Sequence, residues 1–235
     1  MSPRRCLVVR PEPGCAATVR RIDALEGWHG IGVPLTDRMG TDALIPTGAF
    51  DAVALTSAAA VRFLGEIDRD VPIHAIGTAT AAAARAVGFV NVQAGADGRP
   101  AGDGTALGTA LASAYRGRTV LYPCAEERRP GFEDAAAANG ICILPWPVYR
   151  TVPLADGADR LRDALSHAPD AAMVHAPSSA RALGEAWPPE WRPEGVAWLA
   201  MSAAIADALP AHMPSQRHVA TRPDEAAMID LLRSV

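Results

Sequence analysis

The stretch from Asp51 to Gly88 constrains the fold of this chain more than any other feature of its sequence. Two short apolar runs, Ala52 to Leu55 and Ile73 to Ile76, each end in small hydroxyl residues or glycine and then pass into an alanine-rich helical pattern. A strand, a polar turn and a helix therefore occur twice in succession. Such alternation predicts an α/β fold, with a mostly parallel sheet and helices on both faces.

The two turns also predict a binding site for an anion. The first backbone N–H groups of a helix have no partner within the helix, and the helix dipole places partial positive charge there. Thr56 and Ser57 at the first turn and Thr78 and Thr80 at the second add hydroxyl groups, and Gly77 lets a ligand approach the backbone. A helix cap that binds nothing is the alternative at either turn. Adjacent parallel strands bring both turns to one sheet edge, so the pair favours ligand binding.

Composition excludes several classes of function. The formal net charge of -4 gives no general attraction to nucleic acid. The apolar run Cys6 to Val9 is too short for a signal peptide or a membrane span, so we predict a cytoplasmic protein without a membrane partner. The four cysteines form no CxxC pair and no histidine lies at metal-ligand spacing, so we predict neither a metal site nor a disulfide framework.

The second half of the chain repeats the first half in weaker form. An alanine-rich chain produces chance matches, but three matches in the same order favour an internal duplication. The matching segments are 51–64 with 170–183, 73–88 with 196–211, and 90–93 with 218–221.

Strand counts predict two sheets. Candidates near residues 53, 74, 91, 120 and 143 make one group, and those near 172, 198 and 219 make a smaller one. The smaller group is completed if the N-terminal runs Cys6 to Val9 and Ile31 to Leu35 join it. The segment Thr36 to Gly48 is polar, and two prolines are expected to separate extended segments at 141–144 and 148–151.

These counts predict two flavodoxin-like parallel-sheet domains. One domain combines residues 1–35 with 152–235, and the other, 36–151, is inserted into it. The chain then crosses between the domains twice, and two neighbouring crossings form a hinge with a cleft between the domains.

Motifs along nearly the whole chain resemble one known family. They are the opening strand with Arg10 and Pro11, DAVALTSAAAV at 51–61, IGTATAAAARAVGF at 76–89, TVLYPCAEERR at 119–129, NGICILPWPVYRT at 139–151, APSSAR at 176–181, and the closing helix after Arg222 and Pro223. Each motif is loose by itself, but the ordered series is similar to that of uroporphyrinogen-III synthases. The resemblance implies a cofactor-free lyase that closes hydroxymethylbilane to uroporphyrinogen III, with inversion of ring D and loss of water.

The resemblance also implies a set of site residues. Tyr149 matches the tyrosine of the family's VYRT segment and is the candidate for proton transfer, with a packing role at the hinge as the alternative. Hydroxymethylbilane is a polyanion, so hydroxyl groups, backbone N–H groups and guanidinium groups should bind it. Arg129 and Arg181 are further candidates, although every arginine also fits an exposed charge on a solvated surface. The implied substrate-binding residues are Arg10, Thr56, Ser57, Arg62, Gly77, Thr78, Ala79, Thr80, Arg128, Pro177, Ser178, Ser179 and Ser202.

Departures from the family pattern leave a second hypothesis open. His175 and Ala176 stand where the family commonly has a TSP-like or FSP-like turn, and Met201 and Ala204 replace a glycine and a threonine. A non-catalytic homologue that binds a tetrapyrrole or another anion, as a sensor or regulator, is therefore the alternative. A nucleotide-binding protein is a third possibility, but neither GxGxxG nor a Walker loop is present.

The expected partners are the bilane and, transiently, the preceding enzyme of the pathway.

Overall fold

The computed structural model describes residues 2–95, 98, 101, 103–192, 194–211, 213 and 216–235. They belong to two compact units: the first comprises the chain up to Asp37 together with Thr151–Val235, and the second comprises Arg38–Arg150. In chain order the elements are β1 (Arg4–Val9), α1 (Gly14–Asp23), β2 (Trp28–Gly32), β3 (Thr36–Gly40), β4 (Ala52–Leu55), a 3₁₀ helix (Ala58–Phe63), β5 (Ile73–Ala75), α2 (Thr78–Ala86), β6 (Val92–Ala94), α3 (Gly104–Ala110), α4 (Ala112–Tyr115), β7 (Thr119–Ala125), α5 (Gly131–Ala138), β8 (Cys142–Pro153), α6 (Gly157–Ala164), β9 (Ala171–Val174), α7 (Pro177–Ala186), β10 (Ala197–Ala200), α8 (Ala203–Ala208), β11 (Arg217–Val219) and α9 (Glu225–Arg233).

The first unit contains a parallel sheet whose strands, in the described residues, have the order β11-β10-β9-β1-β2. Strands β9 and β10 are buried at every residue, in agreement with their unbroken apolar sequences AAMV and AWLA. Leu7 and Val9 enter one hydrophobic core and Cys6 and Val8 enter another, because successive side chains point to opposite faces. The direction of winding reverses between the neighbours β1 and β9, where Val9 pairs with Val174.

Two amphipathic helices of the first unit bring distant residues together. Helix α1 buries Cys15, Thr18 and Ile22, which share one helical face. Helix α9 begins after Asp224, whose carboxylate accepts a hydrogen bond from the Ala227 N–H at 2.8 Å and caps the helix. The two helices contact each other.

The second unit contains a sheet with the order β3-β8-β7-β4-β5-β6 among the described strands. Strands β4 to β8 pair in parallel. The bonds from Leu154 N to Leu35 O and from Thr41 N to Val148 O show that β3 runs antiparallel to β8. Winding reverses between β4 and β7, which are neighbours in the sheet although β5 and β6 lie between them in sequence. The predicted α/β class with two parallel-dominated sheets is confirmed.

Three local predictions differ from the structure. The prolines do not divide β8, because Pro145 and Pro147 lie before the stretch of β8 that pairs with β3, where one side of the strand is open. The polar segment after Leu35 contains β3, which its sequence TDRMG does not predict. The helix after β4 is a short 3₁₀ helix that ends at Phe63, well before β5 begins at Ile73.

Candidate functional site

In the second unit, a cavity of about 480 Å³ lies at the carboxyl edge of the sheet. Thr56 follows β4 directly and Tyr122 lies on β7, so both flank the point where the winding of the sheet reverses. Open α/β sheets bind their ligands at this kind of position. The residues that line the cavity are Thr56, Ile76, Asp103, Gly104, Thr105, Tyr122, Arg128, Arg129, Gly131 and Phe132.

Tyr122 and Thr56 form a hydroxyl pair in this cavity. The two oxygen atoms lie 3.0 Å apart, and the Tyr122 ring packs against Phe132 with a centroid separation of 4.6 Å. Burial raises the pKa of Tyr122 to about 12, so its hydroxyl stays protonated at neutral pH. A phenol with a raised pKa is a poor acid, which favours a role in binding over one in proton transfer.

Arg128 and Arg129 differ in whether their guanidinium groups already have partners within the protein. Arg128 forms a two-point ion pair with Glu133, with Nε–Oε2 and Nη2–Oε1 distances of 3.1 and 2.8 Å. Its Nη1 also donates to the carbonyls of Ala125 and Glu126. Arg129 forms no hydrogen bond or ion pair with any described residue, yet it lines the same cavity. Arg129 is therefore the guanidinium that is free to bind an anion here.

The helices that begin at this edge also differ in whether a side chain of the protein already binds their first N–H groups. Asp103 caps α3 by accepting a hydrogen bond from the Ala106 N–H at 2.8 Å, so that start already has an anion. Helix α2 follows the extended Gly77 and has no side-chain cap, and Thr78 and Ala79 are exposed. The N–H groups at the start of α2 are therefore open to a ligand. Gly77 borders open space, since a Cβ there would meet nothing within 4 Å.

The other predicted residues around the 3₁₀ helix and α2 have contacts within the second unit. The Ser57 oxygen accepts a hydrogen bond from the Ala59 N–H at 3.2 Å, so Ser57 caps the 3₁₀ helix. The Arg62 guanidinium lies over the Phe63 ring, 4.8 Å from its centroid, and donates to the Arg38 carbonyl. Thr80 is buried.

Tyr149 lies near the carboxyl end of the parallel part of β8, next to Ala125 of β7. Its ring is buried in the core of the second unit and is nearly parallel to that of Phe63, with centroids 6.0 Å apart. Its hydroxyl group forms no hydrogen bond with a described residue and is not fully buried. The packed ring fixes the position of a hydroxyl group that still has a free hydrogen bond to make.

In the first unit, the reversal point between β1 and β9 carries an ionic cluster. Arg10 and His175 are the residues that follow the paired Val9 and Val174. The Glu225 carboxylate accepts hydrogen bonds from Arg10 Nη1 at 2.8 Å and from the Thr18 hydroxyl at 2.5 Å. His175 Nε2 lies 3.2 Å from the same carboxylate, outside good hydrogen-bond geometry.

Burial and charge set the ionisation of this cluster. Burial alone would raise the pKa of Glu225, but its contacts with His175, Thr18 and Arg10 outweigh that effect and lower the pKa to about 2. Burial lowers the pKa of His175, so its ring is neutral at neutral pH. The cluster therefore holds one cation, Arg10, and one anion, Glu225.

The remaining predicted residues of the first unit lie at the starts of α7 and α8. Pro177 and Ser178 begin α7, and Ser202 precedes α8 without a side-chain cap bond. Ser179 is buried, and its hydroxyl has no hydrogen-bond partner among the described residues. Within the described ranges, no group of three or more His, Cys, Asp or Glu side chains could hold a metal ion. None of the described helices has the length and hydrophobicity needed to cross a bilayer.

The sequence did not single out Tyr122 or Glu225. Tyr122 lies inside the quoted TVLYPCAEERR motif, in the middle of β7, and its place in that motif was the available signal. Glu225 reaches Arg10 across 215 positions of sequence, and no local pattern links the two residues.

The chain as a whole is similar to proteins of one family. The family model described as "Uroporphyrinogen-III synthase HemD" matches residues 31–230. The uroporphyrinogen-III synthetase structure of Helicobacter pylori 26695 is 16% identical, with a TM-score of 0.66 and coverage of 98% of this chain and 99% of that one. A mutant uroporphyrinogen III synthase structure from the extremely thermophilic bacterium Thermus thermophilus is 19% identical, with a TM-score of 0.53 and 98% coverage of both chains. At these identities the two structures support the fold alone. No curated protein sequence matches the chain.

Proposed function

This chain belongs to the uroporphyrinogen-III synthase family, and on that premise we propose that it closes hydroxymethylbilane to uroporphyrinogen III. The reaction is that of a cyclising lyase of tetrapyrrole synthesis. The terminal hydroxyl leaves as water and an electrophilic azafulvene forms. Its carbon bonds to the substituted carbon of the last ring, and the resulting spiro intermediate fragments and recloses with that ring inverted. The observation that carries this proposal is the family match over 31–230, which spans both units.

We assign the binding of the substrate carboxylates to the groups that the chain itself leaves free. In the second unit these are Arg129 and the N–H groups of Thr78 and Ala79 at the uncapped start of α2. In the first unit Arg10 has the same role through Nε and Nη2, the two nitrogens that its contacts with Thr18 and Glu225 leave free. Guanidinium groups and helix starts bind carboxylates through short, charge-assisted hydrogen bonds. Binding at several points holds a flexible chain in a conformation close to that of ring closure.

Tyr149 is the residue that we assign to departure of the hydroxyl group. Its unpaired phenol can donate a hydrogen bond to the leaving oxygen, while packing against Phe63 prevents the ring from turning away. Tyr122 keeps its proton and is paired with Thr56. We therefore assign it to substrate binding and not to proton transfer. The reaction needs no strong nucleophile from the protein, because the last ring of the substrate supplies the attacking carbon.

Two further proposals follow from the chemistry of the substrate. Hydroxymethylbilane closes spontaneously to the type I isomer, so brief contact with the enzyme that produces it would shorten its time in water. We also assign the activity to the cytoplasm. Co-sedimentation of the two purified enzymes, with and without substrate, tests the contact.

The isomer assay tests the proposed function. Purified protein is given hydroxymethylbilane made freshly by the preceding enzyme, and the products are oxidised and separated by chromatography. We expect the type III isomer to exceed the amount formed in a control without the protein. Type I product alone, together with saturable binding of uroporphyrinogen, would instead support the non-catalytic hypothesis.

A further inference from the structure

Arg10 is held at the reversal point of the first unit by only one of its three guanidinium nitrogens. Nη1 donates to Thr18 Oγ1 at 3.1 Å and to Glu225 Oε2 at 2.8 Å. Nε and Nη2 form no hydrogen bond with a described residue, and neither is fully buried. These two nitrogens form the edge with which a guanidinium binds both oxygens of one carboxylate.

Gly14 provides the space in which this guanidinium lies. A Cβ at Gly14 would stand 2.6 Å from Arg10 Nε and 2.7 Å from both Cζ and Nη2. The guanidinium therefore packs directly against the first residue of α1. Any side chain at position 14 would displace the guanidinium.

Glu225 fixes the group through Nη1. Its two carboxylate oxygens connect Arg10, Thr18 and His175, which come from the ends of β1 and β9 and from α1. Thr18 is 1% exposed and the His175 side chain is 4% exposed, so the partners of Glu225 are rigidly packed. A long, flexible arginine side chain is thereby confined to one place before any ligand binds.

We infer that Glu225 is a positioning residue of the cyclisation reaction: it holds Arg10 so that the Nε–Nη2 edge is ready to bind one carboxylate of the bilane. The inference rests on the proposed function. Arg10 touches the substrate in this scheme, whereas Glu225 acts only through Arg10. Confinement before binding removes the entropy that a free arginine would lose, so the advantage is expressed as substrate affinity.

Steady-state kinetics of three variants test the inference. We expect Glu225→Ala to raise KM about tenfold with little change in kcat, since uniform binding is lost. Glu225→Gln keeps one acceptor oxygen and should recover part of the loss. Gly14→Ala should raise KM by a similar factor, because its Cβ displaces the end of the Arg10 side chain. Gly65→Ala is the matched control, since nothing lies within 4 Å of a Cβ there, and it should leave both values unchanged.

The outcomes separate this inference from the proposed function. If the wild-type protein yields type III product but Gly14→Ala and Glu225→Ala keep its KM, the positioning role is wrong and the function stands. If both variants lose Tm and kcat with KM unchanged, Glu225 is structural and the inference fails. If the wild-type protein yields type I product alone, the proposed function fails and the inference fails with it. Should Glu225→Ala not fold, Gly14→Ala decides alone.

Discussion

The hydroxyl groups of Tyr122 and Thr56 lie 3.0 Å apart, although β5 and β6 lie between the two residues in sequence. The bond therefore forms only when β4 and β7 become neighbours, at the point where the winding of the second sheet reverses. It places two hydroxyl groups in the cavity, and whichever of them accepts this bond keeps its own O–H free to donate to a ligand.

Removal of the Tyr122 hydroxyl should weaken substrate binding more than it slows the chemical step. We expect Tyr122→Phe to raise KM several-fold with kcat nearly constant, and to change the free energy of unfolding by about 1 kcal/mol or less. Thr56→Val removes the other half of the pair. In a double-mutant cycle, the two changes should be non-additive in KM, because either one breaks the same bond. A fall in kcat with KM unchanged would contradict the binding role.

Arg128 and Arg129 should differ in what their removal does. Arg129→Ala should raise KM about tenfold and leave Tm unchanged, because its guanidinium has no partner in the described part of the chain. Arg128→Ala should lower Tm, since it leaves the partly buried carboxylate of Glu133 without its two-point partner. Thermal denaturation and steady-state kinetics of both variants check this. A larger effect on KM from Arg128→Ala would reverse the assignment.

This pair also shows what the sequence could and could not predict. The two arginines are adjacent, and the sequence placed Arg128 in the implied binding set and Arg129 only among the further candidates. Only the folded chain shows that Glu133, at the start of α5, already binds Arg128. The position of the edge was predictable because apolar runs ending in small polar residues mark strand ends, whereas the pairing of each charge depends on side-chain geometry.

Longer-range features were predictable only where the pattern was repetitive. The fold class followed from the alternation of strands and helices, and it is confirmed. Strand β3 was missed because its pairing with β8, over a hundred positions away, stabilises it rather than its own composition. The hinge and the cleft between the domains stay predictions.

Tyr149→Phe tests the assignment of the leaving-group residue. The change keeps the ring that packs against Phe63, so Tm should stay close to that of the wild-type protein. We expect kcat to fall by about tenfold or more with KM little changed, since the lost hydrogen bond forms at the departing oxygen. The measurement is single-turnover formation of the type III isomer. An unchanged rate would exclude Tyr149 from proton transfer.

Asp51 and Asp170 should stabilise the two sheets in the same way. Each precedes a central strand and accepts a hydrogen bond from the backbone N–H of the neighbouring strand, Asp51 from Thr119 at 3.0 Å and Asp170 from Arg5 at 2.7 Å. Replacing either with Ala should lower the free energy of unfolding by roughly 1–3 kcal/mol, as for a charge-assisted bond. Chemical denaturation measures the effect. A stability loss for only one of them would argue against equivalent roles in the proposed internal duplication.

The stability of the protein should fall on mild acidification, and His175 should cause part of the fall. Burial lowers the folded-state pKa of His175 below its ordinary value of 6.5, so the unfolded chain binds more protons as the pH drops below that value. The free energy of unfolding therefore decreases with falling pH in this window. His74 is also buried and contributes with the same sign. Glu225 acts in a separate window, because its contribution is complete above 4.5 and is lost as the pH falls toward about 2.

Urea denaturation between pH 5 and 7 separates the two histidines. His175→Phe replaces a neutral buried ring with one that does not titrate, so the slope of stability against pH should become shallower while the His74 contribution remains. His74→Phe is the matched control in the other unit, although it also breaks the 2.8 Å bond to the Tyr115 hydroxyl. The double variant should be flatter than either single one. If His175→Phe keeps the full wild-type slope, His175 is not a group whose pKa folding lowers.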